Sequence, residues 1–443
     1  MKPIAVRNPA QAVLAAFVGL SLLGTLLLRL PWALDEGVEM AWFDSLFWGT
    51  SASTITGLAT VEISGFSVFG ELVILALMQI GGFGIMTIGS VLALVTSRRL
   101  GLRQRRLART ELGADVEMGE MRHLLLAIAR FTIICEAALA VVLFAVFTLR
   151  HDVGAGRAAY SAVFHAVSAW NNAGITLESD SLVRFGGDPL VLLPISAVFV
   201  LGGLGFPILV EFVRRVPPRR WALNTRITLL ATGALLVVGP LLVLVLEWSN
   251  DATLGPMGVP RKLLTAWFQG ATPRTAGFHT LDVAAEREPT LNVQTALMFI
   301  GAGPASTSGG IKVTTFAVLG FAMWAEVRGD PDVNVFRRRL APAAIRQAMT
   351  MALLAVGVVF AAGIVLESVS SYTFTHTLFE SASAFGTTGL STGVTAGVSR
   401  VGQCVLLVMM LAGRVGPMTF VTALAMRDTR RAYRFAEERP IIG

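Results

Sequence analysis

The 443-residue sequence is 54% hydrophobic and only 15% charged, and its mean hydropathy is +0.67. Soluble domains usually carry about 25% charged residues, so this composition excludes an ordinary soluble protein and indicates a chain surrounded by lipid. A net charge of +7 could suggest nucleic-acid binding, but the positions of the basic residues, given below, are explained better by membrane topology.

Apolar segments recur along the whole chain, and each is long enough to cross about 30 Å of hydrocarbon as a helix. They lie at 10–31, 66–97, 122–149, 189–213, 223–247, 291–325, 343–366 and 401–426. No small-residue cleavage pattern follows the first segment, which therefore reads as a span and not as a signal peptide. The sequence predicts an all-α integral membrane protein with eight transmembrane helices.

Arginine clusters follow every second span, whereas the other connections carry few basic residues. The clusters lie at 98–109, 214–226, 328–346 and 427–439. Because positive charge accumulates on the cytoplasmic side, this distribution predicts a multi-pass protein with both termini and three turns in the cytoplasm. The partner of these basic clusters is then the lipid bilayer, and no nucleic acid is expected.

The connections on the other side are too long for hairpins and too short and mixed for further spans. They lie at 40–58, 158–175, 261–278 and 373–390, and each reads as a short half-helix followed by a turn. Irregular backbone at membrane depth is tolerated only where it is buried in protein or lines a wet cavity. Four such re-entrant segments predict one shared cavity, which we interpret as a central pore.

The four segments also resemble one another, and their glycines align at Gly57, Gly174, Gly277 and Gly389. The separations of 117, 103 and 112 residues are close to a quarter of the chain. The chain therefore reads as four pseudo-repeats of span, re-entrant loop and span. Their predicted bounds are 1–109, 110–220, 221–340 with an interrupted second span, and 341–443 including the C-terminus.

Such a loop has the properties that a cation filter requires. The C-terminal end of a half-helix carries partial negative charge and favours a cation. Glycine permits positive φ, so successive carbonyl groups can face one axis, and four copies would give stacked oxygen rings that replace a hydration shell. Hydroxyl or amide groups at the same depth are supplied by Thr56, Asn172, Thr275 and Thr388.

At these residues the chain resembles the superfamily of Trk, Ktr and plant high-affinity potassium transporters. Its filter loops would contain Ile55-Thr56-Gly57, Asn172-Ala173-Gly174, Thr275-Ala276-Gly277 and Thr387-Thr388-Gly389. Eight spans without an extra leading pair look most like the KtrB-type membrane subunit. The resemblance covers essentially the whole chain.

The resemblance implies a potassium-uptake protein of the bacterial plasma (inner) membrane, and not an enzyme. It implies K⁺ bound at the filter residues, a homodimer, and a cytoplasmic ring of nucleotide-binding, KtrA-like regulatory subunits, so that nucleotide acts only through a partner. Sodium accompanies or stimulates transport in many members. Serine at the first filter glycine accompanies sodium preference in the plant branch, so Gly57 favours potassium here.

The span 291–325 is interrupted at residues 301–312, which we call the intramembrane loop. Its helix-breaking and polar residues include Gly303, Pro304, Ser306, Thr307, Ser308, Gly309, Gly310 and Lys312. By resemblance this loop would gate the pore below the filter, opposite the mid-span Arg414. The alternatives are a kinked helix with small packing residues, and an arginine paired with a buried carboxylate.

Three further expectations concern the remaining residues and the competing functions. Arg274 and Glu380 lie close to filter loops and are expected to support them by ion pairing. A secondary transporter of a small organic solute with broken helices is the main alternative function, although such folds usually show two repeats. A polytopic membrane enzyme is disfavoured because no His, Asp, Glu or Ser set assembles at catalytic spacing.

Overall fold

The computed structural model of the protein describes residues 9–98 and 118–416. All of the basic cluster predicted at 98–109 except Arg98, the cluster at 427–439, and the end of the last predicted span lie outside the described residues. The helices are α1 Pro9–Leu28, α2 Trp42–Ser53, α3 Val68–Arg98, α4 Met118–Arg150, α5 Ala155–Asn171, α6 Pro189–Leu204, α7 Phe206–Val213, α8 Leu223–Glu247, α9 Val259–Ala271, α10 Glu288–Phe299, α11 Val313–Arg328, α12 Pro342–Ser368, α13 Phe374–Gly386, α14 Val394–Gly397 and α15 Arg400–Val415.

Several of these helices have the length and composition of membrane spans. Within the described residues, α1, α4, α8 and α12 are long and apolar enough to cross a bilayer, and the bent pair α6–α7 would make a fifth. Their outward faces are apolar: Val141, Val237 and Leu353 are each about two-thirds exposed. Exposed apolar faces of this extent suit contact with lipid, so the protein is a helical, multi-pass membrane protein.

The span predicted at 189–213 is not one continuous helix. Helices α6 and α7 bend by 104° at Gly205, which has a φ of +93°. A Cβ at this position would collide with the carbonyl oxygen of Pro304 in the intramembrane loop. The backbone therefore turns here because another segment packs against it, and only glycine fits both the φ and the contact.

The interruption predicted within 291–325 is present as irregular backbone. Helix α10 ends at Phe299 and α11 begins at Val313. A hydrogen bond joins the two ends of the segment between these helices, since Val313 N donates to Ala302 O at 3.0 Å. The last predicted span, 401–426, is represented by α15.

Four short helices, α2, α5, α9 and α13, are the half-helices of the predicted re-entrant segments. Each packs against the long helix that precedes it, namely α1, α4, α8 and α12. The half-helices are largely buried, and each lies against its long helix, so much of the buried core forms around the half-helices.

The large apolar clusters each join neighbouring quarters of the chain. One cluster joins Phe47 and Leu58 to Phe385 of the last quarter, and a second joins Ala169 to Phe268. A third joins the first and second quarters. The first and last quarters are also joined by a bidentate ion pair, in which Arg400 Nη1 and Nη2 lie 2.5 and 3.1 Å from the two Asp44 oxygens.

A short helical turn follows the glycine loop in each quarter of the chain. Three are single 3-10 turns, Ile63–Gly65, Val183–Phe185 and Val283–Ala285, and the fourth is α14. A further 3-10 turn, Pro218–Arg220, precedes α8. Between α11 and α12 the chain forms a small antiparallel hairpin of β1 Asn334–Val335 and β2 Arg338–Arg339.

Candidate ion-conducting site

Each half-helix is followed by a residue in the left-handed conformation, placed two positions before the aligned glycine. These residues and their φ angles are Ile55 (50°), Asn172 (55°), Thr275 (70°) and Thr387 (49°). Left-handed conformations are costly for residues other than glycine, and especially for a β-branched residue, so they persist only where the surroundings impose them. All four are buried.

The hydrogen bonds that end the first half-helix explain this conformation. Ile55 N donates to Ala52 O at 3.1 Å and Thr56 N donates to Ser51 O at 2.8 Å. This pair of bonds is a Schellman motif, which satisfies the last helical carbonyls by placing one residue in the left-handed region. The chain thereby leaves the helix in a fixed direction immediately before Gly57.

The second and fourth half-helices end in the same way, and the third differs slightly. Ala173 N donates to Ser168 O and Thr388 N donates to Ser383 O, both at 2.9 Å. In the third, the helix ends earlier, at Ala271, and Ala276 N donates to Thr272 O at 2.9 Å, so the Schellman pair is absent there. The same helix ending therefore occurs in three of the four quarters of the chain.

The four loops meet through their glycines, which we call the glycine ring: Gly57, Gly174, Gly277 and Gly389. Their φ angles are +90°, +64°, +80° and +94°. A Cβ on any one of them would collide with the carbonyl oxygen of the residue before the glycine of the next loop; these oxygens belong to Ala173, Ala276, Thr388 and Thr56 in turn. The relation closes on itself, so the loops are arranged cyclically in chain order.

The cyclic contact has a direct chemical consequence. It brings four backbone carbonyl oxygens, one from each loop, to equivalent places beside the neighbouring glycine, where no side chain fits. Backbone carbonyl groups repeated around an axis are the ligands that replace the hydration shell of an alkali cation. The structure thus brings together the four aligned glycines and the residues directly before them, although more than 100 residues separate successive glycines along the chain.

Two serines on the half-helices accept hydrogen bonds from backbone N–H groups of the glycine ring. Ser51 Oγ accepts from Gly57 N and Ser383 Oγ accepts from Gly389 N, both at 3.1 Å. The equivalent residue in the second half-helix is Ser168, and in the third it is Ala271. Sequence reasoning missed these serines, although their fixed spacing of six residues before the glycine was a detectable signal.

The side chains beside the ring face the protein and not one another. Thr56 Oγ1 shares a hydrogen bond of 2.8 Å with Thr54 Oγ1, and Thr275 Oγ1 donates to Ser308 Oγ at 2.6 Å. The amide of Asn172 lies 3.4 Å from the same Ser308 oxygen. Two of the three contacts thus lead to the intramembrane loop.

The intramembrane loop lies against the left-handed residues of three glycine loops. Besides the contacts of Ser308 with the second and third, a Cβ on Gly309 would lie 2.5 Å from Thr387 Oγ1 in the fourth. The loop is also bonded to the bend between α6 and α7, since Gly303 N donates to Gly203 O at 2.8 Å and Phe206 N donates to Ala305 O at 3.2 Å. Its position is next to the ring, on the side of the left-handed residues.

Two cationic side chains bond to backbone carbonyls of this loop: the buried Arg414 of α15 and the half-buried Lys312 of the loop itself. Arg414 Nη1 donates to Thr307 O, and its Nη2 lies 3.4 Å from Gly81 O on α3. Lys312 Nζ donates to Ser308 O at 2.5 Å. Arg414 is 3% exposed, and its described hydrogen bonds go to backbone carbonyls and not to a carboxylate. It therefore connects the loop to α3 and places positive charge beside it.

The ion pairs expected for Arg274 and Glu380 are replaced by hydrogen bonds to neutral groups. Arg274 donates to Thr232 O at 3.3 Å and to Thr232 Oγ1 at 3.2 Å. Glu380 accepts from Ser391 Oγ at 2.6 Å and from backbone N–H groups beyond the fourth glycine. Sequence reasoning placed both residues near the loops but could not identify partners that come from neutral polar groups.

The comparisons with known proteins agree with this geometry. The model of the TrkH family, described as cation transport protein, matches residues 1–431. The Ktr system potassium uptake protein B of Bacillus subtilis is 37% identical over 95% of this chain and 94% of its own length. The potassium/sodium uptake protein NtpJ of Enterococcus hirae is 31% identical over 98% of this chain and 97% of its own length.

A solved structure shows the same fold. The potassium transporter TrkH from Vibrio parahaemolyticus superposes with a TM-score of 0.74 over 96% of this chain and 87% of that chain, at 19% sequence identity. Family match, relatives and fold cover nearly the whole sequence. The chain therefore belongs to the TrkH family of cation transport proteins.

Proposed function

We propose that this protein is the membrane-spanning subunit of a Ktr-type potassium-uptake system and that K⁺ crosses the membrane through the glycine ring. The observation that carries the proposal is the cyclic contact among the four loops, in which each glycine adjoins the carbonyl oxygen before the next. The relatives named above are potassium or potassium/sodium uptake proteins, which supports the choice of cation.

The proposed architecture is eight spans in four pseudo-repeats around a central pore. The repeated order of long helix, half-helix, glycine loop and short helical turn supports it. The bent pair α6–α7 and the broken pair α10–α11 each count as one span in this proposal, and α15 begins the eighth. Both termini lie in the cytoplasm of a bacterial cell, as the arginine distribution predicts.

The proposed path of the ion follows from these positions. K⁺ enters from outside and exchanges water for the carbonyl oxygens of the filter residues, aided by the partial negative charge of the half-helix C-termini. It then reaches a cavity closed by the intramembrane loop and Arg414. The fixed positive charge opposes passage of a cation while the loop is in place.

The proposed gate is the intramembrane loop, which is held in place by Arg414 and by the contacts that its own Ser308 makes with two glycine loops. A cytoplasmic, nucleotide-binding partner of the KtrA type would move this loop by docking on the basic turns between spans. We also propose a homodimer and a requirement for, or stimulation by, Na⁺. The name Ktr system of one relative supports a partner component, the potassium/sodium uptake name of another supports a role for Na⁺, and the homodimer rests on the family resemblance alone.

The proposal is tested by ⁸⁶Rb⁺ uptake into proteoliposomes containing the purified protein. Wild type should take up Rb⁺, and Gly57→Ser should lose much of its preference for K⁺ and Rb⁺ over Na⁺, because the new side chain meets Ala173 O at the ring. Gly19→Ser is the matched control, since Gly19 lies on α1 with open space around it. Absence of cation flux in wild type, with Na⁺ varied and a nucleotide-loaded partner added, would favour transport of an organic solute.

A further inference from the structure

Each half-helix carries one buried side chain at the same place, six or seven residues before its left-handed end. These side chains are Trp48, His165, Gln269 and Glu380, and none is more than 2% exposed. Three of them bond to the chain that leaves the glycine ring. The position therefore acts as a brace between a half-helix and the segment beyond its glycine, and its chemistry differs from one quarter of the chain to the next.

The first and third braces are neutral. Trp48 Nε1 donates to Val61 O at 3.0 Å, four residues beyond Gly57. Gln269 Oε1 lies 3.4 Å from Thr280 N, three residues beyond Gly277. In the second quarter, His165 bonds within its own half-helix, its Nδ1 lying 2.8 Å from Ser161 O.

The fourth brace is a carboxylate with an unusually complete set of donors. Glu380 Oε1 accepts from Ser391 Oγ at 2.6 Å and from Thr395 N at 3.0 Å, and also from the Thr395 hydroxyl. Glu380 Oε2 lies 3.4 Å from Thr392 N. A backbone N–H can only donate, so both oxygens act as acceptors, an arrangement that favours the ionised side chain. The segment two to six residues beyond Gly389 is tied to this one group.

The charge of Glu380 is close to the ring. Its bonded partner Ser391 lies two residues beyond Gly389, which keeps the carboxylate oxygen within about 12 Å of the Gly389 Cα atom. In the described part of the chain, its hydrogen-bond donors are all neutral. At that separation, with an effective dielectric constant of about 20, one negative charge strengthens binding of a monovalent cation on the order of tenfold.

We propose that Glu380 is a positioning residue that fixes the fourth filter loop and whose charge raises the cation affinity of the glycine ring. Among the four brace side chains only Glu380 can carry a negative charge, so the braces differ in charge although the backbones around them are alike. This inference rests on the proposed function, because it assigns a role in ion binding at the same ring.

The test compares three variants of the full-length protein in proteoliposomes by ⁸⁶Rb⁺ uptake, with Na⁺ as competitor. Glu380→Gln keeps the shape but removes the charge and places an amide N–H₂ toward N–H donors. Glu380→Asp keeps the charge on a shorter side chain. Glu367→Gln, an exposed position on α12, is the matched control. The half-saturating Rb⁺ concentration and the Rb⁺/Na⁺ preference are measured, together with thermal unfolding.

We expect Glu380→Gln to raise the half-saturating Rb⁺ concentration about tenfold and to lower the Rb⁺/Na⁺ preference. Glu380→Asp should stay within about threefold of wild type in affinity because its charge remains. Glu367→Gln should change neither quantity. A folded Glu380→Gln with wild-type affinity and preference would overturn the proposal, and equal losses of affinity in Glu380→Gln and Glu380→Asp would show a brace without an electrostatic role.

Two milder variants keep the proposal testable if Glu380→Gln does not fold. Ser391→Ala and Thr395→Val each remove one hydroxyl donor and leave the carboxylate in place. Each should lower the Rb⁺/Na⁺ preference measurably, and unchanged preference in both would overturn the positioning role. Because wild-type uptake is measured in the same experiment, failure of the proposed function, seen as no wild-type flux, is distinct from failure of this inference.

Discussion

The substitution Gly389→Ala separates the packing of the glycine ring from the conformational preference of glycine. Gly389 has a φ of +94°, and a Cβ there would collide with Thr56 O and lie 3.1 Å from Gly57 Cα. Gly393, in the same loop, has a φ of +88° but nothing within 4 Å of the added atom. The two positions therefore share the backbone strain and differ in the contact with the first loop.

The expected magnitudes follow from these two contributions. In a left-handed conformation, a residue with a side chain lowers the free energy of unfolding by about 1–2 kcal/mol, and this loss applies to both variants. Forcing an extra carbon into a packed site costs about 1–3 kcal/mol more, and this applies to Gly389→Ala alone. The contact atoms are backbone, which cannot rotate away as a side chain can. Gly389→Ala should therefore displace the ring, whereas Gly393→Ala should leave it in place.

The assay is ⁸⁶Rb⁺ uptake into proteoliposomes with thermal unfolding of the same preparations. Gly393→Ala should unfold at a somewhat lower temperature and keep most of its uptake and its preference for Rb⁺ over Na⁺. Gly389→Ala should unfold lower still and lose uptake or selectivity. Equal loss of uptake in the two variants would contradict this prediction, because it would show that glycine is needed for its φ and not for contact across the ring.

Three further predictions address the gate and the contact between the first and last quarters of the chain. Arg414→Gln should raise basal Rb⁺ flux on the order of tenfold, because each hydrogen bond from a charged donor to the loop stabilises its closed position by about 1.5–3 kcal/mol. Arg346→Gln, at an exposed position, is the control and should leave basal flux unchanged. Ser308→Ala removes contacts with two glycine loops and should raise basal flux in the same direction; a fall in flux would contradict the gate assignment. Asp44→Asn and Arg400→Gln form a double-mutant cycle, measured by unfolding in detergent. The coupling free energy of the pair should be up to about 1 kcal/mol and should weaken at high salt. Zero coupling would show that the ion pair does not help to hold the first and last quarters of the chain together.

The sequence was most informative where one pattern was repeated. The period of the glycines predicted four equivalent loops, and the structure places all four together, three of them with the same helix ending. The predicted re-entrant segment 40–58 contains the half-helix Trp42–Ser53 and the loop that follows it. Glycine and proline spacing also predicted the interruption at 301–312, because these residues cannot continue a helix.

Features that depend on contacts between distant segments were not predictable in the same way. The run around Gly205 is apolar enough to suggest a continuous span, yet it bends because the intramembrane loop, about 100 residues later, supplies a hydrogen-bond partner, Ala305 O, for Phe206 N. The sequence alone did contain glycines and a proline there. Their meaning became clear only once the partner segment was known.

The environments of buried charged groups were also beyond the sequence. Opposite charges near the loops suggested ion pairs for Arg274 and Glu380, but both bond to hydroxyl and backbone groups. Neutral donors and acceptors are numerous at a helix ending, so a charged side chain can find them without a partner of opposite sign. The sequence gives no signal that distinguishes these two solutions.

The central claim is that the glycine ring binds the transported cation. The most direct measurement is a crystal structure of the protein in Rb⁺ with anomalous diffraction recorded at the rubidium edge. We expect Rb⁺ density on the axis enclosed by Gly57, Gly174, Gly277 and Gly389, within bonding distance of backbone carbonyl oxygens. Rubidium bound elsewhere in the membrane domain, with an empty ring, would contradict it.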